Sequence, residues 1–334
     1  MKRILCLVLT AAVLSAAVFA GGQQGSEGGD KFPAKPVTCI IPYAPGGGSD
    51  VLTRGVMKYI KLPNGQPLVG RNIEGAGGYT GAIQAYNSAP DGYTILTHNP
   101  MDLLAYDLSG QDALPLWSQA ECIAIVVADY NLVTTNKTAA SQNGWKTIED
   151  VVAWVKAHPG QKLKWGMVGA QTVNMVDSQR VARALGIFDS ITFVPYDGGA
   201  NTRTAALANE IQLETCTAAE IPGVVASGDN IPLLVINDTR IKSFPAVPST
   251  VEKGIKIATA KWRGYFAPKG TPAPVMQVLS AAFKQVTDDP EFVSNTENNL
   301  KFDVRYVEGQ AAKAQMQKWH DELKPFFDEF KTKK

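Results

Sequence analysis

Short apolar runs rich in β-branched residues alternate with amphipathic stretches along most of this 334-residue chain. Such alternation is typical of strand–helix–strand units, in which helices cover a mainly parallel sheet. Residues 37–43, 68–73 and 94–97 are predicted strands, and residues 49–60 and 81–88 are the predicted helices between them. The sequence therefore predicts an α/β fold.

A second series of such units follows. Its predicted strands cover residues 132–135, 163–168, 191–194, 211–215 and 232–236, and its predicted helices cover residues 147–157, 173–185, 201–208 and 219–226. The chain closes with a predicted strand at residues 262–267 and predicted helices at residues 271–286 and 310–330. Because roughly 300 residues exceed the usual size of one compact domain, we expect two lobes. Lobe 1 would comprise residues 31–131 and 237–334, lobe 2 would comprise residues 132–236, and strands at residues 132–135 and 233–237 would form the hinge.

The N-terminus has the layout of a secretory signal. Lys2 and Arg3 precede an apolar run over residues 4–19, and small residues follow. A membrane-spanning helix is the alternative, but this run is about 16 residues long and a span needs about 20. We therefore expect residues 1–20 to be a signal peptide and residues 21–30 a flexible leader. The mature protein would be exported, without stable membrane insertion.

Composition excludes some partners and offers no cofactor motif. Without Lys2 and Arg3 the chain has 30 basic and 31 acidic residues, so no strong field attracts nucleic acid or an anionic membrane. Cys39, Cys122 and Cys216 lie in apolar runs at spacings that match no metal motif. We expect all three to be core residues, and leave their disulfide state open. No cofactor or metal is predicted, and the protein is expected to be a monomer.

A glycine-rich turn joins the first predicted strand directly to the first predicted helix, with the sequence Ala-Pro-Gly-Gly-Gly-Ser-Asp over residues 44–50. Three glycines remove every Cβ, so backbone N–H groups can face a ligand at a helix N-terminus, where an anion is favoured. Ser49 or Asp50 is the expected N-cap. The turn therefore predicts a site for an anion such as a carboxylate.

A second glycine cluster, Gly-Ala-Gly-Gly-Tyr-Thr-Gly over residues 75–81, occupies the same position in the next unit. Both turns fall at the carboxyl edge of the predicted sheet, where open α/β sheets bind ligands. The alternative is that both are only tight turns. A phosphate site is disfavoured because neither turn has the lysine of a P-loop, and a third glycine is missing from the dinucleotide pattern.

Residues for covalent catalysis are scarce. The chain has three histidines, and no sequence pattern pairs any of them with a nucleophile or a second metal ligand. His98, which follows a predicted strand, and the adjacent Asn99 are candidates for bordering a ligand. We therefore predict a binding protein with no catalytic residues.

Six motifs resemble one family. In order they are PYAPGGGSD from Pro42, GAGG from Gly75, APDGYT from Ala89, PYDGGA from Pro195, VPST from Val247 and WRG to APKGTP from Trp262. Together they resemble the substrate-binding proteins of tripartite tricarboxylate transporters, the Bug or TctC family, from Pro33 to about Phe330.

The resemblance implies a two-lobed, type II-like periplasmic binding protein, or Venus flytrap, that holds a carboxylate between the first two glycine loops. It implies membrane permease subunits as partners, and a second lobe that closes over the ligand through residues 198–200. We expect Gln171 and Thr172 of that lobe to add selectivity. The candidate ligand-binding residues are Tyr43, Ala44, Pro45, Gly46, Gly47, Gly48, Ser49, Asp50, Gly75, Ala76, Gly77, Gly78, Tyr79, His98, Asn99, Gly169, Gln171, Thr172, Tyr196, Gly198, Gly199 and Ala200.

Two positions depart from the family pattern. Glu74 stands where a proline, preceded by a basic residue, is usual, so this carboxylate points outward or meets a ligand that carries a cation. Gln171, Thr172 and Asn174 replace a Gly-Ser-rich turn and are neutral hydrogen-bonding residues. The ligand stays unspecified. An enzyme acting on an acyl or phosphoryl group, since such turns also build oxyanion holes, and a ligand sensor for a signalling receptor remain alternatives.

Overall fold

The structure is a computed structural model that describes residues 32–110 and 116–331. The strands are β1 Val37–Ile41, β2 Leu68–Asn72, β3 Thr94–His98, β4 Ala120–Asn136, β5 Leu163–Val168, β6 Ile191–Tyr196, β7 Leu213–Thr217, β8 Asn230–Val235, β9 Ala260–Pro268 and β10 Asp303–Glu308. The α-helices are α1 Gly48–Tyr59, α2 Tyr79–Tyr86, α3 Pro100–Ser109, α4 Lys137–Asn143, α5 Ile148–Ala157, α6 Val173–Ala184, α7 Gly199–Leu207, α8 Pro222–Ala226, α9 Ala273–Asp288, α10 Pro290–Asn298 and α11 Gly309–Lys331.

Strand β4 belongs to the sheets of both lobes. Its first part, Ala120 to Tyr130, pairs with β9, and residues within this part also pair with β10. Its last part, from Asn131, pairs with β7 on one side and with β8 on the other. The partners therefore change between Tyr130 and Asn131, where the strand passes from lobe 1 to lobe 2.

The strand directions bring two sets of carboxyl ends together. In lobe 1, β1, β2 and β3 are parallel, and they run in the same direction as β4 because β9 lies antiparallel between β3 and β4. In lobe 2, β5, β6 and β7 are parallel to one another and antiparallel to β4. Since β4 runs from lobe 1 into lobe 2, the carboxyl ends of both parallel sets point into the cleft between the lobes.

The α/β class and the two-lobed arrangement are confirmed, with one correction. Each sheet is mixed rather than mainly parallel, because β9 and β10 in lobe 1 and β8 in lobe 2 run antiparallel to β4. The strand predicted at residues 132–135 is only the end of β4. Helices α3, α4 and α10 and strand β10 were not predicted.

Residues 237–257 pack with lobe 2. Ile255 and Ile257 share a buried cluster with Trp165 of β5, and Ile241 and Val247 share another with Cys216 of β7. We therefore propose that the return to lobe 1 comes at β9 rather than at residue 237, so that the middle of β4 and the start of β9 form the hinge. The predicted signal and leader, residues 1–30, lie outside the described residues.

The three cysteines that follow the predicted signal lie on strands β1, β4 and β7. Cys39, Cys122 and Cys216 are buried, which confirms their prediction as core residues, and all three are free thiols. Burial raises the pKa of each thiol well above its ordinary value. Within the described ranges, no helix is both long and apolar enough to cross a membrane.

Gly264 lies where β9 is enclosed by two strands, opposite His98 of β3 and Ile125 of β4. A Cβ at this position would lie 2.5 Å from the carbonyl oxygen of Ala124 and 2.5 Å from Cδ1 of Ile125. We expect Gly264→Ala to lower the free energy of unfolding by about 1–3 kcal/mol through overpacking. Urea denaturation followed by circular dichroism measures the change.

The matched control is Gly223→Ala on α8, where an added Cβ would meet no atom within 4 Å. This variant should unfold at the urea concentration of the wild type, or slightly above it, because alanine restricts the unfolded chain. Equal midpoints for the two variants would contradict the steric account of Gly264.

Candidate functional site

A small cavity lies between the lobes at the meeting carboxyl ends of their strands. Its free volume is about 20 Å³ for the centre of a water-sized sphere, room for about one water molecule. Both lobes contribute to its wall, which is lined by Tyr43, Gly47, Gly48, Ser49, Asp102, Val168, Thr172, Asn174, Gly199, Thr217, Glu220, Lys261 and Arg263.

The first glycine loop presents the N-terminus of α1 to this cavity. The N-cap is Gly47, not Ser49 or Asp50. Because glycine has no side chain, this residue cannot cap the helix. Instead, the N–H of Gly48 donates to Oε1 of Glu220, a lobe 2 residue, at 2.8 Å. A carboxylate therefore occupies the helix N-terminus, but it belongs to the protein, and the ligand carboxylate expected at this turn stays a prediction.

Glu220 follows β7 and touches a second helix start. A Cβ on Gly199, the first residue of α7, would lie 2.5 Å from Oε2 of Glu220. Burial alone would raise the pKa of Glu220, but Arg263, Lys261 and the Gly48 N–H lower it below its ordinary value. The carboxylate is therefore ionised at neutral pH, held by charge and by a backbone amide.

Two cations enter the cavity from β9. Lys261 and Arg263 are two residues apart, so they lie on one face of the strand, and both are buried. Arg263 donates from Nε and Nη2 to Oδ2 of Asp129 at 3.1 and 2.9 Å, and from Nη1 to Oγ of Ser49 at 2.8 Å. Lys261 Nζ donates to Oδ1 of Asn174 at 2.7 Å. Burial lowers the pKa of Lys261, and the negative charge of Asp102 is the strongest influence that raises it.

Asp102 of α3 makes the second contact of a carboxylate with a helix N-terminus across the cleft. Its Oδ1 accepts from the N–H of Val173, the first residue of α6 in lobe 2, at 2.8 Å. Its Oδ2 accepts from the hydroxyl of Tyr43 at 3.1 Å. Lobe 1 thus supplies the carboxylate of Asp102 to helix α6 of lobe 2. In the same way, lobe 2 supplies the carboxylate of Glu220 to helix α1 of lobe 1.

The second glycine loop lies at a neighbouring pocket with a free volume of about 240 Å³. Gly75, Ala76, Gly77 and Gly78 all have positive φ values, a conformation that favours glycine, and the N–H of Gly78 donates to the carbonyl oxygen of Gly75 at 3.0 Å. A Cβ on Gly77 would lie 2.8 Å from Cα of Gly169 in lobe 2. The second glycine loop of lobe 1 therefore contacts the turn at Gly169 of lobe 2, and the cleft is closed here.

The structure distributes the predicted site residues over three environments. The interlobe cavity receives Tyr43, Gly47, Gly48, Ser49, Thr172 and Gly199. The neighbouring pocket receives Ala76, Gly77, Gly169, Gln171 and Tyr196. Outside the lining of both are Ala44, Pro45, Gly46, Asp50, Gly75, Gly78, Tyr79, His98, Asn99, Gly198 and Ala200.

Three residues of this last group hold the site in place. Oδ2 of Asp50 accepts from the N–H of Gly46 at 2.9 Å, which fixes the first loop. Asn99 caps α3 through the N–H of Met101. His98 is fully buried beside Tyr43, and burial lowers the pKa of its ring. Glu74 is exposed. Its side chain therefore points outward, as one of the two expectations for this residue had it, rather than toward a ligand that carries a cation.

Sequence reasoning missed the charged side chains of the cavity. Asp102, Glu220, Lys261 and Arg263 were not predicted as site residues. Alternation within β9 was the available signal, because two cations at positions 261 and 263 share a face of an otherwise apolar strand. Glu220 and Asp102 gave no comparable signal. No group of side chains in residues 32–110 and 116–331 is arranged to hold a metal ion.

Comparison with known proteins agrees with this architecture. A protein of Cupriavidus necator, "UPF0065 protein in gbd 5'region", is 29% identical over 296 residues, covering 88% of this chain and 86% of the relative. The periplasmic binding protein BugD superposes with a TM-score of 0.80 at 24% identity, covering 89% of this chain and 98% of BugD. MatC from Rhodopseudomonas palustris with bound malate superposes with a TM-score of 0.77 at 22% identity, covering 89% of this chain and 99% of MatC.

The family pattern described as "Tripartite tricarboxylate transporter family receptor" matches residues 52–330, from within α1 to the end of α11, and this range includes all four charged residues of the cavity wall. The resemblance inferred from the six motifs is therefore confirmed, and the chain belongs to the tripartite tricarboxylate transporter receptor family, TctC.

Proposed function

We propose that this protein is the extracytoplasmic solute-binding component of a tripartite tricarboxylate-type transporter. It captures a small carboxylate between its lobes in the periplasm and delivers it to a membrane permease. The observation that carries this proposal is the carboxylate of Glu220 at the N-terminus of α1, 2.8 Å from the amide of Gly48. An amide that binds the protein's own carboxylate has the geometry to bind one from a ligand.

Further support comes from the groups around this amide. Arg263 and Lys261 give the cavity positive charge beside the helix N-terminus, and both favour a carboxylate. Nδ2 of Asn174 is buried and has no hydrogen-bond partner within the described residues. It is a free donor on the cavity wall. MatC, the structural neighbour with bound malate, is consistent with carboxylate capture by this fold.

The site favours binding over covalent chemistry. Ser49 follows Gly48 and lies on the cavity wall, and its hydroxyl accepts a hydrogen bond from Arg263. A guanidinium has no lone pair to offer as a general base, so Arg263 does not activate Ser49 as a nucleophile. Closure of the lobes then presents a new surface to the permease, as hinge motion does in binding proteins.

A thermal-shift screen of the purified protein against mono-, di- and tricarboxylates, with and without amino groups, tests the proposal. A ligand at about 100 times its dissociation constant should stabilise the protein by about 2.7 kcal/mol, because it binds the folded state only. Matched amides of each acid serve as controls and should leave the melting temperature unchanged. A flat response to every acid would count against carboxylate capture.

Gly48→Ala tests the position of the ligand's carboxylate. The new Cβ would lie 2.6 Å from Nη2 of Arg263 and 3.2 Å from Oε1 of Glu220, inside the space that the ligand's oxygen needs. We expect affinity for the ligand found in the screen to fall by at least about tenfold, the cost of one lost charge-assisted hydrogen bond. Isothermal titration calorimetry measures the loss.

The matched control is Gly55→Ala in the same helix, where the nearest atom to the added Cβ would be Cδ1 of Leu300 at 3.4 Å. Its affinity should equal that of the wild type. If both alanine variants bind alike, the ligand's carboxylate does not occupy the Gly48 amide.

A further inference from the structure

Lobe 2 buries a carboxyl group that belongs to neither pocket of the cleft. Glu214 lies on β7 opposite Thr134 of β4, and only 1% of its surface is exposed. It is absent from the walls of the interlobe cavity and of the pocket at the second glycine loop. Because a lone buried charge is strongly unfavourable, a carboxyl group in this position must be paired with a cation or carry a proton.

The hydrogen-bond partner of Glu214 is a neutral side chain. Nδ2 of Asn230, at the start of β8, donates to Oε2 of Glu214 at 3.1 Å. Asn230 is equally buried, with 1% of its surface exposed. Strand β4 lies between β7 and β8, so this hydrogen bond passes over β4 and links the two strands on either side of it.

The second oxygen of each of these side chains has no partner. Oε1 of Glu214 and Oδ1 of Asn230 are both buried, and neither accepts a hydrogen bond from the part of the chain that the structure describes. Two such acceptors, on side chains that already share one hydrogen bond, match a carboxylic acid paired with a carboxamide. In that pair the acid O–H donates to the amide oxygen while the amide N–H donates to the acid. One proton on Oε1 then satisfies both atoms, which would otherwise be costly to bury.

The orientation of the Asn230 carboxamide does not change this requirement. With its oxygen and nitrogen exchanged, Oδ1 would face Oε2 of Glu214 at the same separation, and two oxygens so close need a proton between them. A proton on Glu214 is therefore required whichever way the amide is turned.

The surroundings of Glu214 also favour its protonated form. Burial is the largest influence and, together with the negative charge of Glu220, raises the pKa of Glu214 to about 8. Arg203 of α7 opposes this shift, but its Nη1 donates to the backbone carbonyl of Glu220. The Asn230 amide and the nearby hydroxyl of Thr134 also lower the pKa, by less than burial raises it.

The other titratable side chains near the pair do not supply a counter-charge. Cys216 follows Glu214 on the same face of β7, and burial raises the pKa of its thiol well above the ordinary value, so it stays neutral. Lys137 and Asp229, beside the start of β8, are 3.8 Å apart, with 64% and 49% of their side chains exposed. Water and their own pairing therefore screen both charges.

We propose that Glu214 is a carboxylic acid in the folded protein and that, with Asn230, it forms a proton-dependent clamp between β7 and β8 across β4. Loss of the proton leaves a charge and an unpaired amide oxygen inside lobe 2, and adds a second negative charge near Glu220. The clamp therefore loosens as the pH rises. It needs no ligand, so it is independent of carboxylate capture.

Glu214→Gln tests the clamp, because glutamine reproduces the protonated acid with one oxygen that accepts and one N–H that donates. Folding raises the pKa of this carboxyl group from 4.5 to about 8. The wild type thus has the full benefit of the proton below the lower value and loses it as the pH rises to the upper one, by up to about tenfold in the unfolding equilibrium per pH unit. Glu214→Gln has no such loss. Urea denaturation between about pH 5 and about pH 9 should show the variant gaining stability over the wild type as the pH rises.

Glu210→Gln is the matched control, because it removes an exposed carboxylate from the same lobe shortly before β7. Its stability should follow the pH profile of the wild type. A direct measurement is the infrared difference spectrum between the wild type and Glu214→Gln. At neutral pH it should contain the C=O stretch of a protonated carboxyl group, and this band should disappear in alkaline solution.

Each measurement can overturn the clamp. Parallel pH profiles for the wild type and Glu214→Gln would do so, since groups that both proteins share, such as Asp177 with its pKa of about 6, cancel in the comparison. A Glu214→Gln chain that fails to fold also contradicts the clamp, because glutamine offers the same donor and acceptor as the acid. A wild-type spectrum without a protonated carboxyl band at neutral pH contradicts it independently of stability.

Discussion

Strand β4 is the constraint on which the rest of the structure depends. One continuous strand of 17 residues supplies a central element to both sheets, and it changes partners between Tyr130 and Asn131. Because the parallel strands of lobe 1 run with β4 and those of lobe 2 run against it, their carboxyl ends must face one another. The loops that follow these strands then converge on one cleft, which places residues as distant in sequence as Gly48 and Glu220 side by side.

The crossing between the lobes is held by buried polar groups. Asp129 of β4 pairs with Arg263 of β9 just before the partners of β4 change. Asp177 of α6 accepts from Asn131 and from Thr259, each at 2.8 Å, and so ties both crossing segments to lobe 2. Burying such groups offers little net stability, whereas breaking one buried pair typically costs about 3–5 kcal/mol. These contacts therefore fix the geometry of the crossing between the lobes more than they add to stability. Arg263 links the crossing to the cavity, because it also donates a hydrogen bond to Ser49.

Local patterns in the sequence predicted what depends on local structure. The glycine turn at residues 44–50 predicted a strand end, a helix start and an anion site, because these follow from backbone conformation within a few residues. The first part of β4 was not predicted although residues 122–128 are an unbroken apolar run, and Asp129 and Asn131 separate this run from the strand predicted at residues 132–135. Glu220 and Asp102 could not be predicted as cavity residues, since their partners are 172 and 71 positions away. Only the pairing of whole strands brings them together, and a single sequence does not report that pairing.

The internal carboxylates have a consequence for affinity. In the proposed carboxylate capture a ligand competes with Glu220 for one amide, so its apparent dissociation constant equals the intrinsic constant divided by the fraction of molecules in which that amide is free. A stronger bond between Glu220 and Gly48 holds the empty cleft closed more firmly and weakens the capture of every carboxylate by the same factor. Because this penalty is common to all carboxylates, discrimination among them comes from the other groups of the cavity wall, such as the unpartnered amide nitrogen of Asn174.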